Sequence, residues 1–197
     1  MENMNILTDD MLVTRYSEGD NKAFDELLAR YQSKLFNYIY FIVRSQELAE
    51  DLFQETFVKA ITTIQQGRYT AAGKFGAWLT RIAHNLIIDG YRQERNENTI
   101  SNDETEMDLL NDADLCDDNV EMQMVNEQTL RDVRRLVDAL PDNQREVVYM
   151  RFYQDLSFKE IAEITGVSIN TALGRMRYAL LNMRRIAEEK HIVLEMY

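Results

Sequence analysis

With one proline and only seven glycines in 197 residues, the chain holds little that would interrupt a helix. No stretch approaches the roughly 18 apolar residues a membrane span requires, which excludes membrane insertion. The start, MENMNILTDD, lacks both the basic end and the apolar run of a signal peptide, so the expected location is cytoplasmic. The single Cys116 can form no internal disulfide. It sits in an acidic stretch without a nearby His, which points to a reduced bystander rather than a thiol catalyst or metal ligand. The two histidines, His84 and His191, are far apart, and His84 has no HxxxH or HD partner. A helical metal-dependent hydrolase is therefore poorly supported, and neither a metal nor a cofactor is expected.

Positive charge is also scarce, with a formal net charge of -12. Its distribution matters more than its sum. Residues 1–95 carry -2 and residues 120–197 carry -1, whereas 96–119 hold nine acids and no Lys or Arg. That acidic stretch has no sustained periodicity and repels itself, so it is expected to be a flexible or partly extended linker. An all-α fold of two small helical domains follows: 1–95 and 120–190, joined by 96–119, with 191–197 as a tail.

What the chain does have is a pair of helices after Leu156. Ser157 and Glu160 fit a capping box, Ile161, Ala162 and Ile164 give a short apolar face, Gly166 turns the chain and Ser168 offers a second N-cap. Ala172, Met176, Ala179, Leu180 and Met183 then recur at helical spacing and are expected to face inward. Ser168, Asn170, Thr171, Gly174, Arg175, Arg177 and Tyr178 are left to work. Helix, tight turn, helix is the helix-turn-helix pattern, whose second helix can enter a major groove roughly 12 Å wide. Plain bundle hairpins share the pattern. Local charge favours DNA, with five bases against two acids between Leu156 and Ile186.

Upstream, Thr8 caps a short helix. A long one follows through Phe24, Leu27, Leu28, Tyr31, Leu35, Tyr38, Ile39 and Ile42. Ser45 starts a third, to about Gln65, with Leu48, Ala49, Leu52, Phe53, Phe57, Ala60 and Ile61 on its apolar side. Glu47, Glu50, Asp51, Gln54 and Glu55 lie opposite, either as a solvated face or as a docking face for a basic protein surface. A helix from Lys74 to Arg95 carries Phe75, Trp78, Leu79, Ile82, Ala83 and Leu86 inward. Its polar side is Lys74, Arg81, Asn85, Asp89, Arg92 and Arg95, and residues 68–95 carry a net +3. Bases interleaved with Tyr69, Phe75, Trp78 and Tyr91 suit single-stranded nucleic acid, although Phe75 and Trp78 lie on the apolar stripe and read as core. Helical spacing returns through Leu130, Val133, Leu136, Val137 and Leu140 until Pro141, which can occupy the first turn of the next helix.

DLFQETFVKA, FGAWLTRIAHNLIIDGYR, ALPDNQREVVYMRF and SFKEIAEITGVSINTALGRMRYAL resemble, in that order, regions 2 and 4 of the sigma-70 family. With only an acidic linker between them, the chain resembles the small extracytoplasmic-function (ECF) group. The resemblance implies a transcription initiation factor, not an enzyme, that directs RNA polymerase core to promoters. It implies that Asp51, Gln54 and Glu55 dock on the clamp coiled coil of the polymerase's largest subunit. Asn85 would read a base of the melted minus-ten element, with Lys74, Arg81, Asp89 and Arg92 beside it. The helix after Ser168 would read the minus-thirty-five duplex, and an anti-sigma factor is an implied partner. The family's recognition helix often runs Ser-x-Gly-Thr-Val-Lys-Ser-Arg-Leu-x-Arg-Ala. Here Ser168, Thr171, Arg175 and Ala179 match, while Asn170, Leu173, Gly174 and Tyr178 depart. The rival reading is an autonomous helix-turn-helix regulator, which leaves the Asp51 to Glu55 face and the Asn85 helix unexplained.

Overall fold

The computed structural model describes residues 4–70, 73–97 and 131–192, and within these every extended regular element is an α-helix. After a 3-10 turn (Met4–Ile6) come α1 (Asp9–Ser17), α2 (Asn21–Val43), α3 (Gln46–Gln65) and α4 (Phe75–Glu97). Helical residues 131–138 (α5) precede α6 (Asp142–Phe152), α7 (Phe158–Thr165) and α8 (Ile169–Glu189). The stretch 98–130, which holds most of the expected linker and Cys116, lies outside the described residues, as do 193–197 of the expected tail.

Local signals set most boundaries. Thr8 accepts from the Met11 N–H, Asp20 from Lys22 and Ser45 from Leu48, so three helices begin on side-chain caps. Two boundaries move by small amounts. Lys74 is the residue before α4, its carbonyl accepting from Trp78 N–H at 3.0 Å, and α4 runs on to Glu97, past the expected edge at Arg95. Pro141 stands one position ahead of the first turn, as the N-cap of α6, and its carbonyl accepts from Gln144 and Arg145. The missing proline N–H is harmless there too, because nothing inside the helix would have bonded it.

In the first half, α1 to α4 pack as a bundle around Leu12, Leu27, Leu35, Ile39, Phe75 and Leu79. The α2–α4 contact is close: a Cβ at Gly76 would lie 2.7 Å from the Tyr31 ring. Tyr69, Phe75 and Trp78 form an aromatic cluster at centroid distances of 4.8 to 5.9 Å, in which Phe75 is fully buried and Trp78 half-buried. In the second half, α6, α7 and α8 share Val147, Met150, Ile161, Ala172, Met176 and Ala179 as their core. The two halves also touch, α6 against α2 and α7 against α4.

Two residues expected to face inward do not. Leu48 is 43% exposed and Leu180 44% exposed. Leu48 lies in the first turn of α3. Leu180 sits off the line through Ala172, Met176 and Ala179 by which α8 meets α6 and α7, and with Leu173 and Leu181 it leaves an apolar strip uncovered.

Candidate nucleic-acid interface

The helix-turn-helix is built from three local devices. Ser157 accepts from Glu160 N–H at 3.3 Å while the Glu160 carboxylate accepts from Ser157 N–H at 2.9 Å, closing the capping box at the start of α7. Gly166 ends α7 at φ +67°, a left-handed conformation that glycine adopts without a Cβ penalty. Ser168 then caps α8, accepting from Thr171 N–H at 3.0 Å, with the two hydroxyls 2.8 Å apart. Ser168 and Thr171 therefore hold the start of the helix as well as standing at its surface.

Along α8, Asn170, Thr171, Arg177 and Tyr178 are exposed, and Gly174 and Arg175 half-exposed. Asn170, Gly174 and Tyr178 follow one another at four-residue intervals, a single line along the helix. A Cβ at Gly174 would meet no atom within 4 Å, so among the described residues no packing neighbour requires glycine there. Arg177 lies at the edge of that line and also borders a groove of about 360 Å³ with Leu173, Leu180, Leu181 and Arg184.

On α4, Arg81, Asn85, Asp89 and Arg92 are all exposed at intervals of four, four and three, one stripe on the surface. The Asp89 carboxylate is 3.4 Å from Arg92 Nη1. Among the described residues Arg81, Arg175 and Arg177 have no ion pair, so their charges are available to phosphate. Lys74 differs. It is 3.5 Å from Glu160 of α7 and so is committed to the other half of the molecule. Burial pushes the Glu160 pKa up, but hydrogen bonds from the Ser157 hydroxyl and backbone and the charge of Lys74 outweigh it and hold it below the usual carboxylate value. The loop before α4 is fastened by Asp10, whose Oδ2 accepts from Gly73 N–H at 2.7 Å.

On α3, Asp51, Gln54 and Glu55 are exposed. Glu55 pairs with Lys59 at 3.2 Å. Leu48, Asp51, Glu55 and Val58 fall on one stripe, and Leu48 and Val58 are exposed apolar side chains framing the acids. An acidic face bordered by uncovered apolar groups suits docking better than solvation alone. Periodicity counted Leu48 as core, so the sequence hid this feature.

Three polar groups were not foreseen as a set: the buried Tyr38 and His84, from α2 and α4, and the partly buried Glu146, from α6. They meet where the two halves touch. Among the described residues no group of three or more His, Cys, Asp and Glu could hold a metal ion, and no helix is long and apolar enough to cross a membrane.

Two compact helical units, one ending in a capped helix-turn-helix and the other presenting a partly basic polar stripe, define a nucleic-acid-binding protein. Comparison with known proteins narrows this. Residues 27–97 match the family model for sigma-70 region 2, and residues 130–180 that for sigma-70 region 4. The ECF RNA polymerase sigma-E factor of Haemophilus influenzae is 32% identical over 93% of this chain and 95% of its own length. The ECF sigma factor BldN of Streptomyces coelicolor is 36% identical over 79% of this chain, which spans 56% of that relative. Among solved structures, the sigma factor RpoE bound to the anti-sigma factor NepR from Bartonella quintana has a TM-score of 0.67 at 22% identity, covering 85% of this chain and 98% of its own. CnrH in complex with the cytosolic domain of CnrY has a TM-score of 0.62 at 22% identity, covering 92% and 97%. The chain belongs to the sigma-70 family, in its extracytoplasmic-function group, and is a transcription initiation factor.

Proposed function

We propose that this factor confers promoter specificity on RNA polymerase core through three separate faces and catalyses no reaction itself. The face on α3 around Asp51, Gln54 and Glu55 docks on the clamp coiled coil of the largest subunit, with Leu48 and Val58 adding apolar contact. The α4 stripe holds the melted minus-ten strand. Asn85 has both a donor and an acceptor for a base edge, while Arg81, Arg92 and a released Lys74 bind phosphate without reading sequence. The α8 face from Ser168 to Tyr178 enters the major groove at the minus-thirty-five element. The acidic stretch 96–119 follows the channel for nascent RNA, where negative charge suits basic walls. An anti-sigma factor, as in the solved RpoE–NepR complex, is the partner expected to hold the factor inactive. The site of action is the cytoplasm, where the polymerase works.

One observation supports this reading above the others. The uncommitted cations Arg81, Arg175 and Arg177 stand on two separate helices of a chain whose net charge is -12. Such a molecule binds DNA weakly alone and needs a larger assembly to present both helices at once. The test is in vitro transcription with core polymerase on a promoter library, comparing wild type with Arg175→Ala and Asn85→Ala. Promoter-directed transcripts that depend on both residues are expected. Tight specific DNA binding by the free factor, without core-dependent transcription, would favour the autonomous regulator instead.

A further inference from the structure

The line Asn170, Gly174 and Tyr178 on α8 has a defined place relative to the core and to the two arginines. At about 100° of turn per residue, Gly174 lies about 140° to 160° around the helix from the buried Ala172, Met176 and Ala179, so the line faces away from the core. Arg175 then stands about 100° to one side of Gly174 and Arg177 about 60° to the other. A helix laid in a major groove along this line turns Asn170 and Tyr178 to the base edges and one arginine to each flanking phosphate backbone. The first turn divides its side chains in a similar way. The Ser168 and Thr171 hydroxyls are 2.8 Å apart, and Ser168 also accepts from Thr171 N–H, so both are engaged in the cap. The exposed Asn170 amide has no hydrogen-bond partner among the described residues. Ile169, the first residue of the helix, is 46% exposed and lies outside the core cluster.

We propose that Asn170 and Ile169 are the residues that set base preference on α8, Asn170 taking an adenine and Ile169 the methyl group of a thymine in the next base pair, while Arg175 and Arg177 hold phosphate on either side. The inference rests on the functional reading above. In a helix-turn-helix the first residues of the second helix are those that reach base edges. An asparagine amide offers one acceptor and one donor to N6 and N7 of adenine together, and an exposed aliphatic side chain suits the C5 methyl of thymine. Consecutive Cα atoms are about 3.8 Å apart and stacked base pairs about 3.4 Å, so neighbouring residues reach neighbouring pairs.

Gly174 fits this assignment. It presents bare backbone one turn after Asn170, so no larger side chain on the line holds the amide away from the bases. The arginines fit base reading less well. Arginine to guanine is the commonest specific contact in a major groove, but both arginines stand off the line, and Arg177 also borders the groove with Leu173 and Leu180. On the flanks their charges meet phosphate, which fixes the position of the helix and carries no sequence information. Preference for adenine and thymine over guanine is therefore the consequence of where this chain puts its one free amide.

The experiment uses the full chain bound to core polymerase and a duplex library randomised over the minus-thirty-five window. Bound duplexes are selected with wild type, Asn170→Ala, Ile169→Ala, Arg175→Ala and Arg177→Ala, and circular dichroism checks that each variant is folded. The preferred duplex is then remade with an adenine analogue lacking N7, or with uracil in place of thymine, one position at a time. Wild type is expected to select an adenine beside a thymine, to lose about tenfold in affinity with the analogue at that adenine and about fourfold with uracil at that thymine. Asn170→Ala should be indifferent to the first change and Ile169→Ala to the second, while the arginine variants bind all sequences more weakly with the preference intact. A preferred guanine whose selection is lost in Arg175→Ala or Arg177→Ala overturns the proposal, as does an Asn170→Ala variant with the wild-type preference. Uracil without effect on wild type overturns the role of Ile169. No enrichment of any duplex, together with no core-dependent transcription by wild type, overturns the promoter reading itself, an outcome distinct from enrichment that ignores Asn170.

Discussion

Lys74, at the start of α4, and Glu160, in the first turn of α7, face each other at 3.5 Å across the two halves, and Glu160 is at the same time the carboxylate of the capping box with Ser157. One side chain thus joins helix initiation to domain contact. Glu160→Gln keeps an acceptor for the Ser157 N–H but removes the charge, and is expected to lower the stability of the second half by about 0.3 to 1 kcal/mol, the usual scale for a carboxylate at a helix N-terminus. Because the folded pKa is held below the ordinary value, the stabilisation is complete above the unfolded value of about 4.3 and is lost as pH falls through the lower folded one. Thermal melts of wild type and variant at pH 7 and near pH 3 check the sign: the gap between them closes in acid.

Gly174 meets open space at its missing Cβ and lies inside α8, in its second turn. Gly174→Ala is expected to stabilise the helix by up to about 1 kcal/mol. If the bare backbone is there for close approach to DNA, the same change weakens binding to the minus-thirty-five duplex by about tenfold. Calorimetry of the free factor and fluorescence anisotropy of the factor–core complex on labelled duplex would show the two effects moving in opposite directions.

Arg81 and Asn85 are neighbours on one stripe with different expected roles. Arg81→Ala should weaken minus-ten binding to all sequences alike and reduce the salt dependence by about one phosphate contact. Asn85→Ala should instead flatten the preference among bases at one position. Competition between promoter variants, measured with core polymerase at two salt concentrations, separates these outcomes.

Gly76 faces Tyr31, whose hydroxyl is hydrogen-bonded to Asp9 and whose ring packs on Phe75 at 5.2 Å, so the ring has little room to retreat. Gly76→Ala is expected to destabilise the first half by about 1 to 3 kcal/mol through overpacking. Chemical denaturation of the variant would read it directly.

Val58 is 60% exposed on the acidic stripe of α3 and makes no contribution to the buried core. Val58→Asp is expected to leave stability within about 0.5 kcal/mol of wild type, as surface changes usually do, while lowering affinity for core polymerase. A pull-down or anisotropy titration with core checks it, and an unchanged affinity would return this face to ordinary solvated surface.

The sequence by itself determined the helices and where they begin. Ser157, Gly166 and Ser168 act over three or four residues through hydrogen bonds and backbone conformation, and Thr8, Asp20 and Ser45 do the same upstream, so they are readable in a short window. It also determined the family and the exposed lines of α4 and α8, because helical spacing alone brings Arg81, Asn85 and Arg92 to one side. Only the tertiary structure decided which apolar residues lacked a neighbour. Leu48, Leu173 and Leu180 have the right residue type for burial, but burial depends on where another helix passes, and among the described residues none covers them. Tertiary structure alone also brought Tyr38 to His84 and Glu146, which stand 46 and 108 residues from it. No periodicity or motif encodes such a meeting, because it is set by how the two halves dock and not by the path of the chain within either one.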